Sequence, residues 1–253
     1  MILAAAAFVA RTITVDGVPH KYQVWVPATY VEDSRPRLSG QRRAAVPHKW
    51  PAILFLHGSG ERGSDGLKQT TVGLGRALSD GAVDAQAIVI FPQCPDGERW
   101  VGAPRKIAIA TLDQSEREFS IDKRRVALTG MSMGGAGAWI LAAEYPKRWS
   151  ALAPVCAYVH RPPQLADADN PTTESYDQFA KRLPRIPIWI FHGSDDPVVP
   201  VTESREMARA LGPRAAYTEF AHTGHNAWDP AYTQTHLVQW LVDQKRKRKP
   251  SGR

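Results

Sequence analysis

Three kinds of residue suited to acyl transfer occur in one order along this 253-residue chain: a serine between glycines, a pair of aspartates, and a pair of histidines. The serine is Ser132 in Gly130-Met131-Ser132-Met133-Gly134, which directly follows the apolar run VALT and directly precedes the small-residue stretch GGAGAWILAAEY. A G-x-S-x-G set between a buried strand and a helix is the setting of a nucleophile elbow, where a sharp turn lifts the hydroxyl above a sheet. Serine is a weak nucleophile at neutral pH and requires a base within hydrogen-bond reach, itself oriented by a third group. Beyond the later run IPIWIF the sequence HGSDDPVVP offers Asp195 and Asp196, and beyond AAYTEF the sequence AHTGHNAW offers His222 and His225. Nucleophile, then acid, then base is one of the chain orders in which such a triad can be assembled.

A second glycine cluster competes for attention. Gly58, Gly60 and Gly63 in ILFLHGSGERG spell G-x-G-x-x-G, the fingerprint of a dinucleotide cradle. That reading requires the loop to open straight into a helix and an acidic residue to end the next strand. Ser64, Asp65 and Gly66 prolong the loop instead, Asp80 precedes the second strand, and AIVIF closes on Pro92-Gln93. A nucleotide-binding oxidoreductase is therefore the remote alternative. In acyl transfer the same bare main chain has another use, because a tetrahedral intermediate carries an oxyanion that two backbone N–H groups stabilise. One follows the nucleophile and one lies in the loop after the third strand, which assigns Met133 and Ser59.

The elements that must position these groups follow from hydrophobic patterning. TITVDGVPHKYQVWV alternates around Asp16-Gly17, a hairpin signal. The apolar runs at 52–56, 87–91, 126–129, 151–155 and 186–191 lack alternation, as strands buried on both faces do. Helical spacing occupies 69–79, 105–119, 133–145, 202–211 and about 229–243. Strand and helix in alternation imply one α/β domain over 1–244, with a parallel sheet, right-handed crossovers and ligands at the carboxyl ends of the strands. Residues 31–49, rich in Arg, Pro and Ser, read as a surface loop.

Six of the excess positive charges lie in Lys245, Arg246, Lys247, Arg248, Lys249 and Arg253, leaving a nearly neutral body and a solvated, disordered tail over 245–253. No nucleic-acid or membrane partner is expected. ILAAAAFVA near the N-terminus is too short to cross a bilayer and lacks a basic region ahead of it, so it makes a poor secretory signal, a truncated leader being the alternative. Cys94 and Cys156 form no metal-binding spacing, and a cytoplasmic, reducing setting fits them. The oligomeric state is open.

The stretches FLHGSGERG, FPQCPDGERW, LTGMSMGGAGAW, FHGSDDPVVPV and HTGHNAW, in this order and spacing, resemble an α/β-hydrolase family of bacterial carboxylesterases, which also goes under the names predicted peptidases, phospholipases and feruloyl esterases. The likeness runs from about residue 8 to about residue 244, with the arginine-rich loop at 35–43 and the basic tail as local additions. It implies a mostly parallel twisted sheet of about eight strands, helices on both faces, an antiparallel N-terminal hairpin and no large lid. It also implies Asp196 as the acid, four residues after the histidine of its motif, and His225 as the base. His57 and His192 are expected to shape their turns, and His222 to be an ordinary loop residue. If the strand order follows the family, two strands separate those ending near Cys94 and Cys156, and both are free thiols.

The expected activity is a serine esterase for short-chain or phenolic acyl esters, without metal or organic cofactor. Trp100, Tyr158 and Trp228 are candidates to line an apolar or phenolic pocket, with closure of a small core under a loop as the equal alternative. About 30 residues separate the sixth and seventh strands, too few for a large helical lid. A serine peptidase of the prolyl-oligopeptidase type would share the same residues and is the alternative activity.

Overall fold

The computed structural model describes residues 5–30, 49–162, 165 and 171–247. The arginine-rich loop at 35–43 and residues 248–253 of the tail lie outside them. Among the described residues eight strands form one sheet in the order β1-β2-β4-β3-β5-β6-β7-β8. β1 (Ala7–Val15) and β2 (Val18–Val26) make the expected hairpin. Its two-residue turn has Asp16 at φ 50° and Gly17 at φ 83°, the left-handed pair that matches the twist of the strands. β2 lies antiparallel to β4 (Ile88–Pro92), and β4, β3 (Trp50–Leu56), β5 (Ile121–Met131), β6 (Ala151–Val155), β7 (Ile188–Gly193) and β8 (Ala215–Phe220) then run parallel.

Both faces of this sheet are covered, which is why its central strands read as unbroken apolar runs. Ala52, Leu54 and Leu56 of β3 join the core under α2 (Pro104–Glu118), α3 (Met133–Glu144), α4 (Tyr176–Arg182) and α5 (Thr202–Leu211). Ile53 and Phe55 point the other way, into the core under α1 (Gly73–Ser79), α6 (Trp228–Thr233) and α7 (Leu237–Asp243). Every expected strand and helix has a counterpart, with four differences.

The helix expected over 229–243 is two, broken at 234–236. Thr235 Oγ1 donates to the Ala231 carbonyl at 2.6 Å and accepts from Leu237 N–H at 3.1 Å, so its side chain takes over main-chain groups that a continuous helix would pair. The stretch 69–79 likewise divides into a 3-10 turn at Lys68–Thr70 and α1, because Val72 is extended. β5 begins five residues before the apolar run that marks it, and its polar Asp122–Arg125 form an irregularity between the pairs Trp50–Ile121 and Ala52–Val126. α4, opened by a capping box between Ser175 and Gln178, was not foreseen; it is one short helix, and the described part of 157–186 holds no large lid. The tail starts in contact with the sheet: Arg246 N–H donates to the Arg124 carbonyl at 2.8 Å and Lys245 pairs with Asp122 at 3.3 Å.

Candidate active site

The turn from β5 to α3 has a single residue, Ser132, between strand and helix. Its φ of 53° and ψ of −120° place a non-glycine residue in a sparsely populated conformation, held by neighbours on both sides. Ser132 N–H donates to the Val155 carbonyl of β6 at 2.9 Å. A Cβ at Gly134 would stand 2.0 Å from the Leu56 carbonyl oxygen and 2.5 Å from that of His57, so α3 starts in direct main-chain contact with the end of β3. This close approach also brings Met133 next to the loop that contains Ser59. Both are the first residues of helical turns, α3 and the 3-10 turn Ser59–Glu61, where main-chain N–H groups have no carbonyl in their own helix to bind.

Across the sheet edge, His225 lies with Nε2 2.9 Å from Ser132 Oγ and Nδ1 2.7 Å from Asp196 Oδ2. A carboxylate can only accept, so Nδ1 carries the proton, and Nε2 faces the serine with a free lone pair. The histidine side chain is 19% exposed and that of Asp196 is fully buried. Burial opposes ionisation of Asp196, but it is outweighed by hydrogen bonds from His192, His225 and Val199 N–H, which hold the carboxyl well below the usual carboxylate range. Its other oxygen accepts from Val198 and Val199 N–H at 2.8 and 2.9 Å. Asp195 instead accepts from Ser194 Oγ and reaches toward the exposed His222, away from Ser132.

The loops carrying Asp196 and His225 are zipped together. Ser194 N–H donates to Phe220 O, Asp195 N–H to Thr223 O, and a Cβ at Gly193 would lie 2.3 Å from the carbonyls of Thr223 and Gly224. Tyr232 ties α6 to the strand beneath the elbow through Thr129 Oγ1 at 2.8 Å; Thr129 in turn donates to the Ala153 carbonyl.

His57 and His192 shape turns, as expected. His57 Nε2 accepts from Cys94 N–H at 2.9 Å, so its Nδ1–H donates to Gly58 O at 2.6 Å, and burial lowers its pKa to about 4. His192 Nε2–H lies between Val199 O at 3.0 Å and Asp196 Oδ2 at 3.2 Å, with Ser204 on its other nitrogen. His192 is thus a second histidine on Asp196 as well as a turn residue, and nothing in its spacing marks the shared carboxylate.

The aromatic candidates divide. Trp100 is 0% exposed; its Nε1–H donates to His57 O at 3.0 Å and its ring meets His57 edge-on, so it supports the glycine loop from below. Tyr158 is 1% exposed and packs with Ala136 and Val199. Neither lines an open pocket, a correction to that part of the expectation: both fill core under loops. Trp228 sits edge-to-face against His225 at 5.4 Å and borders a cavity of about 530 Å³ with Val72, Gly73, Arg76 and Asn226. Cys94 and Cys156 are buried free thiols. No helix among the described residues is long and apolar enough to cross a membrane.

Residues 109–249 match a family model described as Putative esterase. A solved thermostable esterase is 29% identical with a TM-score of 0.73, covering 94% of this chain and 63% of its own. The feruloyl esterase module from Clostridium thermocellum, an S954A mutant complexed with sinapinate, has a TM-score of 0.67 at 13% identity, covers 97% of this chain and 91% of its own, and shares the fold. A protein of Arthroderma benhamiae described as an uncharacterized secreted protein is 25% identical over 222 residues, 77% of this chain and 23% of that one. The chain thus spans about a quarter of that relative and under two thirds of the thermostable esterase. The sheet order, hairpin and crossovers are those of the α/β-hydrolase fold.

Proposed function

The chain belongs to the putative esterase family, an α/β-hydrolase family of carboxylic ester hydrolases, and from that premise we propose that it is a serine esterase acting through an acyl-enzyme. The observation that carries this reading is the continuous chain Ser132 Oγ, His225, Asp196, with spacings of 2.9 and 2.7 Å and the imidazole tautomer set by the carboxylate. Ser132 attacks the ester carbonyl as His225 Nε2 takes its proton. The N–H groups of Met133 and Ser59 hold the oxyanion, and the N-terminal end of α3 adds its positive dipole. Asp196 fixes the ring and stabilises its cationic form without itself becoming protonated. His225 then protonates the departing alcohol, and water repeats the cycle to release the acid.

The substrates are short-chain or phenolic acyl esters. Trp228 beside His225 offers one aromatic face next to the reacting centre, and the lack of a large lid among the described residues suits small esters more than long acyl chains. The single-domain organisation and the cytoplasmic setting are part of the proposal, the latter supported by two unpaired buried thiols. The test is a panel of p-nitrophenyl esters set against aminoacyl anilides, with Ser132→Ala as control. Ester turnover abolished by the substitution is the expected result. Faster cleavage of anilides would make the enzyme a peptidase, and ester turnover surviving Ser132→Ala would overturn the mechanism.

A further inference from the structure

Under the Ser132–His225–Asp196 chain lies a side chain that the reaction does not use. Cys156 directly follows β6 at φ 40°, a left-handed conformation rare for a residue with a Cβ, and its N–H donates to Phe191 O of β7 at 2.8 Å. This turn directs the side chain into the interior, where it is 0% exposed. Its sulfur, a carboxylate oxygen of Asp196 and a ring nitrogen of His225 all lie within 4.8 Å of one another, the one such threefold grouping of His, Cys, Asp or Glu among the described residues.

Thiolate, imidazole and carboxylate together are a zinc donor set. Bonds of about 2.0–2.3 Å in a tetrahedral site place ligand atoms roughly 3.5 Å apart, so this grouping closes on a cation with movements of about an ångström. We propose that the cluster is an inhibitory site for a thiophilic divalent cation such as Zn2+, with Cys156 as the ligand that an ordinary serine triad lacks.

The protons balance as follows. The cation displaces the thiol proton, which leaves to solvent, and binds Asp196 as the carboxylate it already is. On His225 it takes Nδ1, so the single imidazole proton moves to Nε2. That nitrogen then faces Ser132 Oγ as a donor and cannot take the serine proton, so turnover stops. Two anionic ligands offset the dication, leaving no uncompensated buried charge. With Cys156 and Asp196 covered and His225 only 19% exposed, the cation enters as the imidazole swings aside, and onset is slow.

The activity assay rests on the esterase reading, but a spectroscopic one does not. On p-nitrophenyl ester turnover, Zn2+ is expected to inhibit with a slow onset that EDTA reverses. Its half-inhibiting concentration should fall about tenfold per pH unit, since one proton is released. Cys156→Ala and Cys156→Ser, each compared with its own metal-free rate, should raise that concentration by at least about thirtyfold. Co2+ added to the wild-type protein should give a near-ultraviolet thiolate-to-metal band that survives Cys94→Ser and disappears in Cys156→Ser. Unaltered Zn2+ sensitivity in both Cys156 variants would overturn the proposal, as would a wild-type protein without the band or a band lost with Cys94. If the Cys156 variants do not fold, the Co2+ spectra of wild type and Cys94→Ser decide. If no ester is turned over, the band still reports the site independently of the activity.

Discussion

The glycine-bearing turns after β5 and after β3, both at the carboxyl edge of the sheet, are built on opposite principles. In the turn after β5, main chain packs on main chain. A Cβ at Gly130 would meet the Gly134 carbonyl oxygen at 2.4 Å, and one at Gly134 would meet that of Leu56 at 2.0 Å. In the loop after β3, side chains from the loop after β4 hold the main chain. Trp100 and Gln93 donate to the carbonyls of His57 and Glu61, and His57 itself accepts from Cys94 N–H. A Cβ at Gly60 would touch nothing within 4 Å. The first turn admits no other residue at its glycines. The second is set by partners 32 to 43 residues away in sequence, and one of its motif-forming glycines has no steric reason to be there.

The sharpest break of this contrast is Gly134→Ala. Two backbone segments would have to part, and destabilisation should exceed about 4 kcal/mol, the range reached only by severe core or backbone lesions. For a chain of this size that lowers Tm by roughly 8 °C or more, or leaves the protein insoluble. Thermal unfolding within a few degrees of wild type would show that the elbow can relax and would remove the distinction between the two turns.

Next in size is Ser59→Pro, which deletes one proposed oxyanion donor without deleting the turn. Proline is tolerated at the first position of a helical turn, and Gly58 before it is already extended at ψ −174°, as a residue preceding proline prefers. In other hydrolases the loss of one such donor costs about 2.7–4 kcal/mol. The expected outcome is a fall in kcat of about 10²–10³ with KM and Tm little changed. An unchanged kcat would exclude the Ser59 N–H from the oxyanion hole.

How much of this was legible follows the same division. The elbow was readable because strand, G-x-S-x-G and helix are contiguous, although the steric reason for Gly134 lies in the distant Leu56 and His57 carbonyls. The hairpin was readable for a similar reason, since Asp16-Gly17 alone supplies the turn. The choice of Asp196 over Asp195 came from resemblance to a family, not from local chemistry. The geometry separates them because Asp196 turns inward to two histidines while Asp195 turns toward His222. Trp100 looked like a pocket residue because it follows a strand end. Its buried indole N–H has a partner 43 residues away that no periodicity reveals. The break at 234–236 depends on a threonine bonding its own helix, and Cys156 has no metal-binding spacing in the sequence because Asp196 and His225 reach it only through the fold. What stayed hidden rests on side-chain contacts, most of them long-range, that neither periodicity nor spacing encodes.

The side-chain-held loop should also respond to acid where the elbow does not. An unfolded His57 titrates near 6.5, whereas burial lowers it to about 4 in the folded protein. Between those values the unfolded chain holds the extra proton, so stability is full above about pH 6.5 and falls as pH drops toward 4. This one group accounts for a loss of about 2 kcal/mol between pH 7 and 5. In His57→Gln that component should vanish, so the urea midpoint should change less between those pH values than in wild type. Parallel pH dependence in the two proteins would mean that His57 takes up its proton without opening the loop.

The smallest effect is the most discriminating. Gly60 completes the apparent G-x-G-x-x-G, yet its φ is not left-handed and space for a methyl group is open. Gly60→Ala should therefore leave kcat unchanged and raise stability by about 0.4–1 kcal/mol, because alanine narrows the unfolded ensemble. A rise in KM at constant Tm would sharpen the picture by showing that this open space is where an ester chain lies. A loss of kcat at constant KM would break it, because the loop would then need a glycine conformation during turnover that its resting geometry does not use. The contrast between a turn fixed by main-chain contact and a loop fixed by borrowed side chains would then hold only for the resting enzyme.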